Sequence, residues 1–367
     1  MKILHVLYSG LGGHGNVFFS LIDADKEKQF EYEALFYGIE DVRDEYITKC
    51  KQKGIKWYFA KKKYRFDLFF FKKIGEYILK SSPDIVFLHG SGYIILAKIF
   101  QILYRRKTKI IVRETQANHL KTLFQKICLF FSLLFANKIV FLTKQFMDEV
   151  HAKFGLVFKK SKMVIIPNGI DQQIFTPGNK KNSDIVYIGM QSRLIKIKDH
   201  LTLIKAFAML KNNFSIKNNI KLLIAGEGDF KRVLVGEVEE LNIKDDVVFT
   251  GMLEERELVS FLQSLSIYVH ASFGETMSTA IMQAMSCGLP IIASNVNGIN
   301  NMIEDSKNGV LVPLRDSGKL YEAILMYLTK PETTSEIASN SHKTALKKYS
   351  NNLMFKKYKD LFTSVNK

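Results

Sequence analysis

One carboxylate, two cations and two glycine turns carry the chemistry legible in this chain. Glu275 lies in the polar loop Ser272-Phe273-Gly274-Glu275-Thr276. The apolar, β-branched run around Ile267 and Val269 precedes it and reads as a buried parallel strand. A helix should begin near Ser278 or Thr279, residue types that cap helix N-termini. Ile281, Met282 and Met285 recur at helical spacing, Cys287-Gly288 ends the helix, and Pro290 blocks its continuation into the strand Ile291-Ile292-Ala293. A carboxylate between a strand's carboxyl end and a helix N-terminus sits where open α/β sheets take ligands. It is also where an acidic side chain simply complements the helix dipole, and taken alone that second reading is the stronger.

Arg193 and Lys198 follow the strand Ile185–Ile188 and precede a helix expected over Leu201–Lys211. Two cations at a strand-to-helix loop suit a pyrophosphate. The strand Lys221–Ala225 ends in Gly226-Glu227-Gly228-Asp229. At the N-terminus the run Lys2–Tyr8 leads into a loop holding Gly12, Gly13, His14 and Gly15, with a helix from about Val17. Strand, glycine loop and helix let backbone N–H groups approach an oxyanion. The spacing departs from GxGxxG, so the loop is weak evidence by itself. His14 reads as a local polar residue that its loop position keeps among the catalytic candidates. No metal site is expected. Asp23-Ala24-Asp25 falls at a helix end and reads as a surface feature, and Cys50, Cys128 and Cys287 are too far apart for a CxxC site or a disulfide framework.

The elements that must position these residues alternate strand and helix through both halves, which implies α/β architecture with two Rossmann-like, doubly wound parallel sheets facing across a cleft. At 367 residues two domains of ordinary size are expected. Residues 1–177 form the first, rejoined by a C-terminal helix within 346–367, and residues 178–345 the second, with Gly178–Ser183 as the linker. MKILHVLYSG reads as a first strand rather than a signal peptide. No run reaches the ~18 uncharged apolar residues of a spanning helix, so a cytoplasmic protein is expected, with peripheral contact to the inner face of the plasma membrane.

The charge is uneven. Residues 1–170 hold 29 Lys/Arg against 15 Asp/Glu, whereas the remainder holds 24 against 21. Such a field favours an anionic membrane surface or anionic substrates, and a Lys-rich solvated background explains it equally well. Lys61-Lys62-Lys63-Tyr64-Arg65 followed by the Phe-rich run Phe66–Phe71 reads as part core, part membrane-interface patch.

The stretch from Glu275 to Ile292 resembles the signature of family-4 retaining glycosyltransferases of GT-B architecture: Glu, seven residues, Glu, then Ala-Met-x-x-Gly-x-Pro and two hydrophobics. Here Glu275 is followed after seven residues by Gln283 and then by Ala284-Met285-Ser286-Cys287-Gly288-Leu289-Pro290-Ile291-Ile292. The second acid, which in the family holds the ribose hydroxyls, is thus an amide able both to accept and to donate. Arg193, Lys198, Gly226, Asn168-Gly169-Ile170-Asp171 and Asn308-Gly309 match further family segments, with two residues inserted between Gly189 and Ser192. The resemblance is specific over 185–315 and general over 1–170.

The resemblance implies transfer of a sugar, with retention, from a nucleotide-diphosphate-sugar, taken as a UDP-sugar, to a glycan or lipid-linked glycan acceptor. Bacterial surface polysaccharide or lipopolysaccharide synthesis is the implied setting, with no bound cofactor and no metal. Glu275, Arg193 and Lys198 would be catalytic, and Gly12, Gly13, Gly226, Thr276 and Gln283 would join them in holding the donor. The family commonly has a histidine where this chain has Arg113-Glu114-Thr115, which leaves Glu114 a candidate by position and a structural ion pair an equal one. Rivals are a sugar-nucleotide epimerase of similar architecture, a two-domain sugar-binding protein without chemistry, and a basic nucleic-acid-binding protein. The dispersed basic residues and strand-helix repeats carry no recognition motif for the last, so no nucleic-acid partner is expected.

Overall fold

Buried parallel strands need apolar residues on both faces, and this chain supplies such runs at regular intervals. The computed structural model describes all residues except 11–12, 64–66, 105–106, 179–184, 214–219 and 367. The strands and helices run β1 (Lys2–Tyr8), α1 (Gly13–Ala24), β2 (Glu31–Gly38), α2 (Asp44–Gln52), β3 (Lys56–Lys61), α3 (Leu68–Ser81), β4 (Ile85–Leu88), α4 (Ile94–Leu103), β5 (Lys109–Glu114), α5 (Leu123–Phe135), β6 (Lys138–Phe141), α6 (Lys144–Phe154) and β7 (Met163–Ile165). They continue as β8 (Val186–Gln191), α7 (His200–Lys211), β9 (Ile220–Ala225), α8 (Lys231–Glu240), β10 (Val247–Gly251), α9 (Glu255–Ser264), β11 (Ile267–His270), α10 (Thr279–Ser286), β12 (Ile291–Ser294), β13 (Val310–Val312), α11 (Ser317–Thr329), α12 (Pro331–Lys348) and α13 (Asn351–Asn366).

Two compact units result. Met1–Asp171 and Asn351–Lys367 form the first, Gln172–Ser350 the second. The boundary falls before 177 because residues 175–177 belong with the second unit: Ser286 Oγ donates to Phe175 O at 2.6 Å and Gln263 Nε2 to Thr176 O at 3.0 Å. The return lies at Asn351 rather than 346 because α12 runs on to Lys348. The expected linker lies at 178–183, of which only Gly178 is among the described residues.

In the first unit all strands pair in parallel, in the order β3-β2-β1-β4-β5-β6-β7. One face is covered by α3, α4 and α5 over a core that includes Ile74, Ile94 and Leu129. On the other, α13 buries Met354, Tyr358 and Phe362 beside Val17 and Leu21 of α1. The second unit is likewise all parallel, in the order β10-β9-β8-β11-β12-β13. In each sheet the chain winds outward in one direction and then returns to the middle, so the winding reverses between β1 and β4 and between β8 and β11. Ligands of open α/β sheets bind at the carboxyl ends of the strands at such a reversal.

Two local readings change. Gly189 lies inside β8, where a Cβ would meet Leu265 Cδ2 at 2.5 Å, so the loop bearing Arg193 starts at Ser192 and the two supposedly inserted residues are strand. Asp25 is buried rather than on the surface, accepting from the backbone N–H of Gln29 at 2.9 Å and Phe30 at 3.2 Å.

Candidate functional site

β8 and β11 are neighbours at the reversal of the second sheet, and the loops that follow them carry Arg193, Lys198 and Glu275. The loops are tied together by backbone chemistry. Phe273 N donates to Ile197 O at 2.9 Å and Ser272 Oγ to the same carbonyl at 3.2 Å. Behind them the turn at Gly298 closes to backbone distance: with φ at +99°, a Cβ there would lie 2.3 Å from Glu275 O. A side chain at 298 would therefore displace the loop that aims Glu275.

Helix α10 starts where the capping residues place it, with Ser278 as N-cap accepting from Ile281 N at 3.4 Å. Glu275 is therefore not the helix cap. Its Oε1 accepts from Lys198 Nζ and, at 3.1 Å, from His270 Nε2. Burial alone would raise the Glu275 carboxyl, but the Lys198 ammonium and the His270 contact outweigh it and hold it down at about 2. His270, the last residue of β11, is wholly buried, and that burial lowers its pKa against the opposing pull of Glu275. Neutral His270 with its proton on Nε2 donates to Glu275, and its Nδ1 lies 3.3 Å from the Tyr268 hydroxyl. Ser278 Oγ lies 3.3 Å from the same Nε2. The carboxylate is thus held ionised by one cation and aimed by one neutral ring.

Gln283 is buried and its Oε1 accepts from Gln191 Nε2 at 2.7 Å, which fixes the amide with its oxygen toward β8. Thr276 is also buried, one residue beyond Glu275. Arg193 is exposed, and among the described residues no carboxylate is paired with it. Beside it the 192–194 and 226–228 turns are knit together by Ser192 N to Ala225 O at 3.0 Å and Leu194 N to Glu227 O at 2.9 Å. Gly226 has φ +135°, and a Cβ there would sit 1.9 Å from Ser192 O, so this glycine is required by the packing of one turn on the other. His200 lies behind Lys198, its Nε2 3.0 Å from Ser192 Oγ, and burial followed by the Lys198 charge lowers it to about 3.

Lys198 and Glu275 are thus brought into contact, and Gln283 is tied to the end of β8. His270, Tyr268 and Gln191 were missed from the sequence. For His270 and Gln191 the available signal was the polar last residue of a strand, since a polar group at a carboxyl edge has the loops rather than the core as its neighbour; Tyr268, inside β11, gave none.

In the first unit Gly12 lies outside the described residues, and Gly13 is the first residue of α1. His14 on α1 meets the His89 ring edge-on, 5.8 Å between centroids. Below it runs a buried chain of nitrogens. Arg113 Nη1 lies 3.3 Å from His89 Nδ1, and His89 Nε2 lies 3.0 Å from His5 Nδ1. Because the guanidinium can only donate, His89 carries its proton on Nε2 and donates that N–H to His5 Nδ1. His5 Nε2 then has no partner among the described residues. Burial, reinforced by Arg113, lowers His5 to about 3 and lowers His89 as well. Glu114 is structural: buried, it accepts from Ser91 Oγ and pairs with Lys121 Nζ at 3.4 Å.

Comparison with known proteins covers nearly the whole chain. A family model described as Glycosyltransferase Family 4 matches residues 11–174, and one described as Glycosyl transferases group 1 matches residues 171–344. A D-inositol 3-phosphate glycosyltransferase of Paenarthrobacter aurescens is 26% identical over 188 residues, 48% of this chain and 45% of that protein. The chain therefore spans under half the length of that relative. The N-acetylgalactosamine-N,N'-diacetylbacillosaminyl-diphospho-undecaprenol 4-alpha-N-acetylgalactosaminyltransferase of Campylobacter jejuni is 25% identical over 281 residues, 72% of each chain. Among solved structures, HepE of Anabaena in complex with UDP-glucose superposes with a TM-score of 0.83 at 17% identity, covering 99% of this chain and 100% of that one. At that identity the likeness is one of fold, and the fold of two parallel-sheet α/β units is GT-B.

Proposed function

The chain belongs to the family-4, group 1 glycosyltransferases, and from that premise we propose that it transfers a sugar, with retention, from a nucleotide-diphosphate-sugar to a glycan or lipid-linked glycan acceptor. The observation that carries the proposal is the meeting of Lys198 and Glu275 at the reversal point of the second sheet, with the exposed Arg193 on the same loop. In such a transfer the leaving group is a nucleoside diphosphate, so the chief demand is to stabilise charge that grows on the β-phosphate oxygens. Arg193 and Lys198 supply two positive charges for that task, which makes a divalent metal unnecessary. Glu275, ionised at any physiological pH, faces the donor sugar, and Gln283 contacts the ribose. Thr276 and the Gly226 turn border the same donor.

The donor is taken to be a UDP-sugar of hexosyl or N-acetylhexosaminyl type, since HepE is solved with UDP-glucose and the Campylobacter relative is named for N-acetylgalactosaminyl transfer. The same relative's name contains a diphospho-undecaprenol acceptor, which supports a lipid-linked acceptor here, presented at an anionic membrane surface on the cytoplasmic side during surface polysaccharide or lipopolysaccharide synthesis. A thermal-shift panel of nucleotide-sugars followed by a transfer assay tests the proposal. The expected result is stabilisation by one nucleotide-sugar class, release of its nucleoside diphosphate, and a product with the donor's anomeric configuration. Failure of every nucleotide-sugar to stabilise the protein or to be turned over would overturn it.

A further inference from the structure

Two neighbouring helices of the first unit present apolar side chains to solvent. On α4, Ile95 and Ile99 are exposed one turn apart, and on α5, Leu123, Phe124 and Ile127 do the same, Leu123 by 75% and Phe124 by 66%. The two helices pack side by side on one face of the sheet. Their inner residues, Ile94 and Ala97 on α4 and Leu129 and Leu133 on α5, already fill the core, so the outer ones are not needed for folding. Scattered exposed apolar residues are ordinary, whereas a contiguous group marks a contact surface.

The charge around this face says what the contact is. Between Asp84 and Asp148 the sequence holds ten Lys or Arg and a single acid, Glu114. That acid is buried against Ser91 and Lys121, and Arg113 and Lys121 are buried with it, so none of the three lends charge to the face. Lys98 and Lys126 lie on the same two helices as the apolar residues; the Lys98 ammonium donates to Gln101 Oε1 at 2.7 Å, and the long aliphatic stem of each lysine lets its ammonium reach a polar boundary. An apolar face flanked by Lys98 and Lys126 is complementary to a surface that is anionic outside and hydrocarbon beneath.

We propose that the α4–α5 face docks on an anionic lipid bilayer, with Ile95, Ile99, Leu123, Phe124 and Ile127 entering at headgroup depth and Lys98 and Lys126 meeting lipid phosphates. This deepens the reading of a membrane-presented acceptor and rests on it for its purpose, while the docking itself is read without any sugar transfer. It adds to the Lys61–Lys73 segment rather than replacing it. There Phe70 is core and Phe69 exposed, Asp67 caps α3 by accepting from Phe70 N at 3.0 Å, and Lys61 pairs with Asp41 at 2.7 Å; Tyr64, Arg65 and Phe66 lie outside the described residues. The first turns of α4 and α5 stand at the carboxyl edge of the sheet, the edge that also carries His89 and the start of α1. A lipid-linked acceptor held at that face would be delivered to the ligand-binding edge of the unit.

Co-sedimentation of the full chain with phosphatidylcholine vesicles, with and without phosphatidylglycerol, tests the docking. Binding should require phosphatidylglycerol and weaken as salt is raised. The triple variant Ile99→Gln, Leu123→Gln, Phe124→Gln should lose about tenfold or more of the bound fraction. Lys98→Glu with Lys126→Glu should lose a similar share, most of it at low salt. Both variants should keep the wild-type Tm and nucleotide-induced thermal shift, which separates lost docking from lost folding. Absence of binding to either vesicle, binding that both variants leave intact, or a dimer in solution that the triple variant dissociates would each overturn the assignment, the last in favour of a second copy of the chain. Glu275→Gln should lower transfer while leaving vesicle binding unchanged, and a wild-type protein that docks but transfers no sugar counts against the glycosyltransferase reading alone.

Discussion

His270 Nε2 stands 3.1 Å from Glu275 Oε1, the same oxygen that receives the Lys198 ammonium. Five residues apart in the chain, the histidine closes β11 and the glutamate lies in the loop that returns over it, so the ring can hold the carboxylate's direction while remaining neutral. Removing the imidazole should leave Glu275 ionised through Lys198 but less constrained. His270→Ala is expected to lower kcat about tenfold with KM nearly unchanged, the pattern of an interaction realised in the transition state. A variant with normal kcat would reduce His270 to packing.

Glu275→Gln keeps the volume and removes the charge, and it should lower kcat more than KM. The capping role belongs to Ser278, so its Tm should change little, whereas Ser278→Ala should cost about 1 kcal/mol of stability. A Glu275→Gln protein with lowered Tm and unchanged kcat would refute the catalytic role.

The two cations should be separable from metal chemistry. Arg193→Ala and Lys198→Ala are each expected to lower kcat/KM about 10²-fold, the scale of losing one group that stabilises developing charge. Wild-type turnover should survive EDTA. Loss on chelation that Mn²⁺ restores would show that the leaving group needs a metal after all.

Gln283→Glu restores an acid at a position whose present oxygen already accepts from Gln191 at 2.7 Å, and a glutamate oxygen would accept the same hydrogen bond. The variant should be tolerated and should bind the donor as well as or better than wild type, read as donor KM. Gln191→Ala frees the amide at 283 and should raise donor KM with little change in kcat. A large fall in kcat from either substitution would mean that position 283 does more than hold the ribose.

Stability should fall on the acid side of neutrality. His5 and His89 are neutral in the folded first unit, His5 with its pKa lowered to about 3 from 6.5. Below pH 6.5 the unfolded chain takes up protons that the folded chain refuses, so their contribution is complete above that pH and is lost as the pH drops toward 3. Each such histidine costs at most about 1.4 kcal/mol per pH unit over that window. Thermal unfolding followed from pH 7.5 to pH 5 should show a falling Tm, with a shallower slope in His5→Leu. A Tm independent of pH over that range would contradict the buried neutral pair.

What the chain states by itself is the periodic part. Strand and helix runs, turn residues and the Glu275-to-Ile292 spacing are local properties, because hydrophobic period, capping chemistry and glycine placement act within a few residues. They suffice for two parallel α/β units, for a capped α10 and for a polar loop bearing Glu275 at the carboxyl end of β11. The tertiary structure alone decided which polar side chains share an atom. Lys198 and Glu275 are 77 positions apart and Gln191 and Gln283 are 92 apart, yet each pair meets because β8 and β11 become neighbours, which brings the end of β8 and its loop beside the loop and helix that follow β11. The same holds for Glu114, where the sequence left catalyst and ion pair open and only the fold put Lys121 and Ser91 on it. No period in a sequence records which strands become neighbours, since that follows from how whole sheets bury their faces.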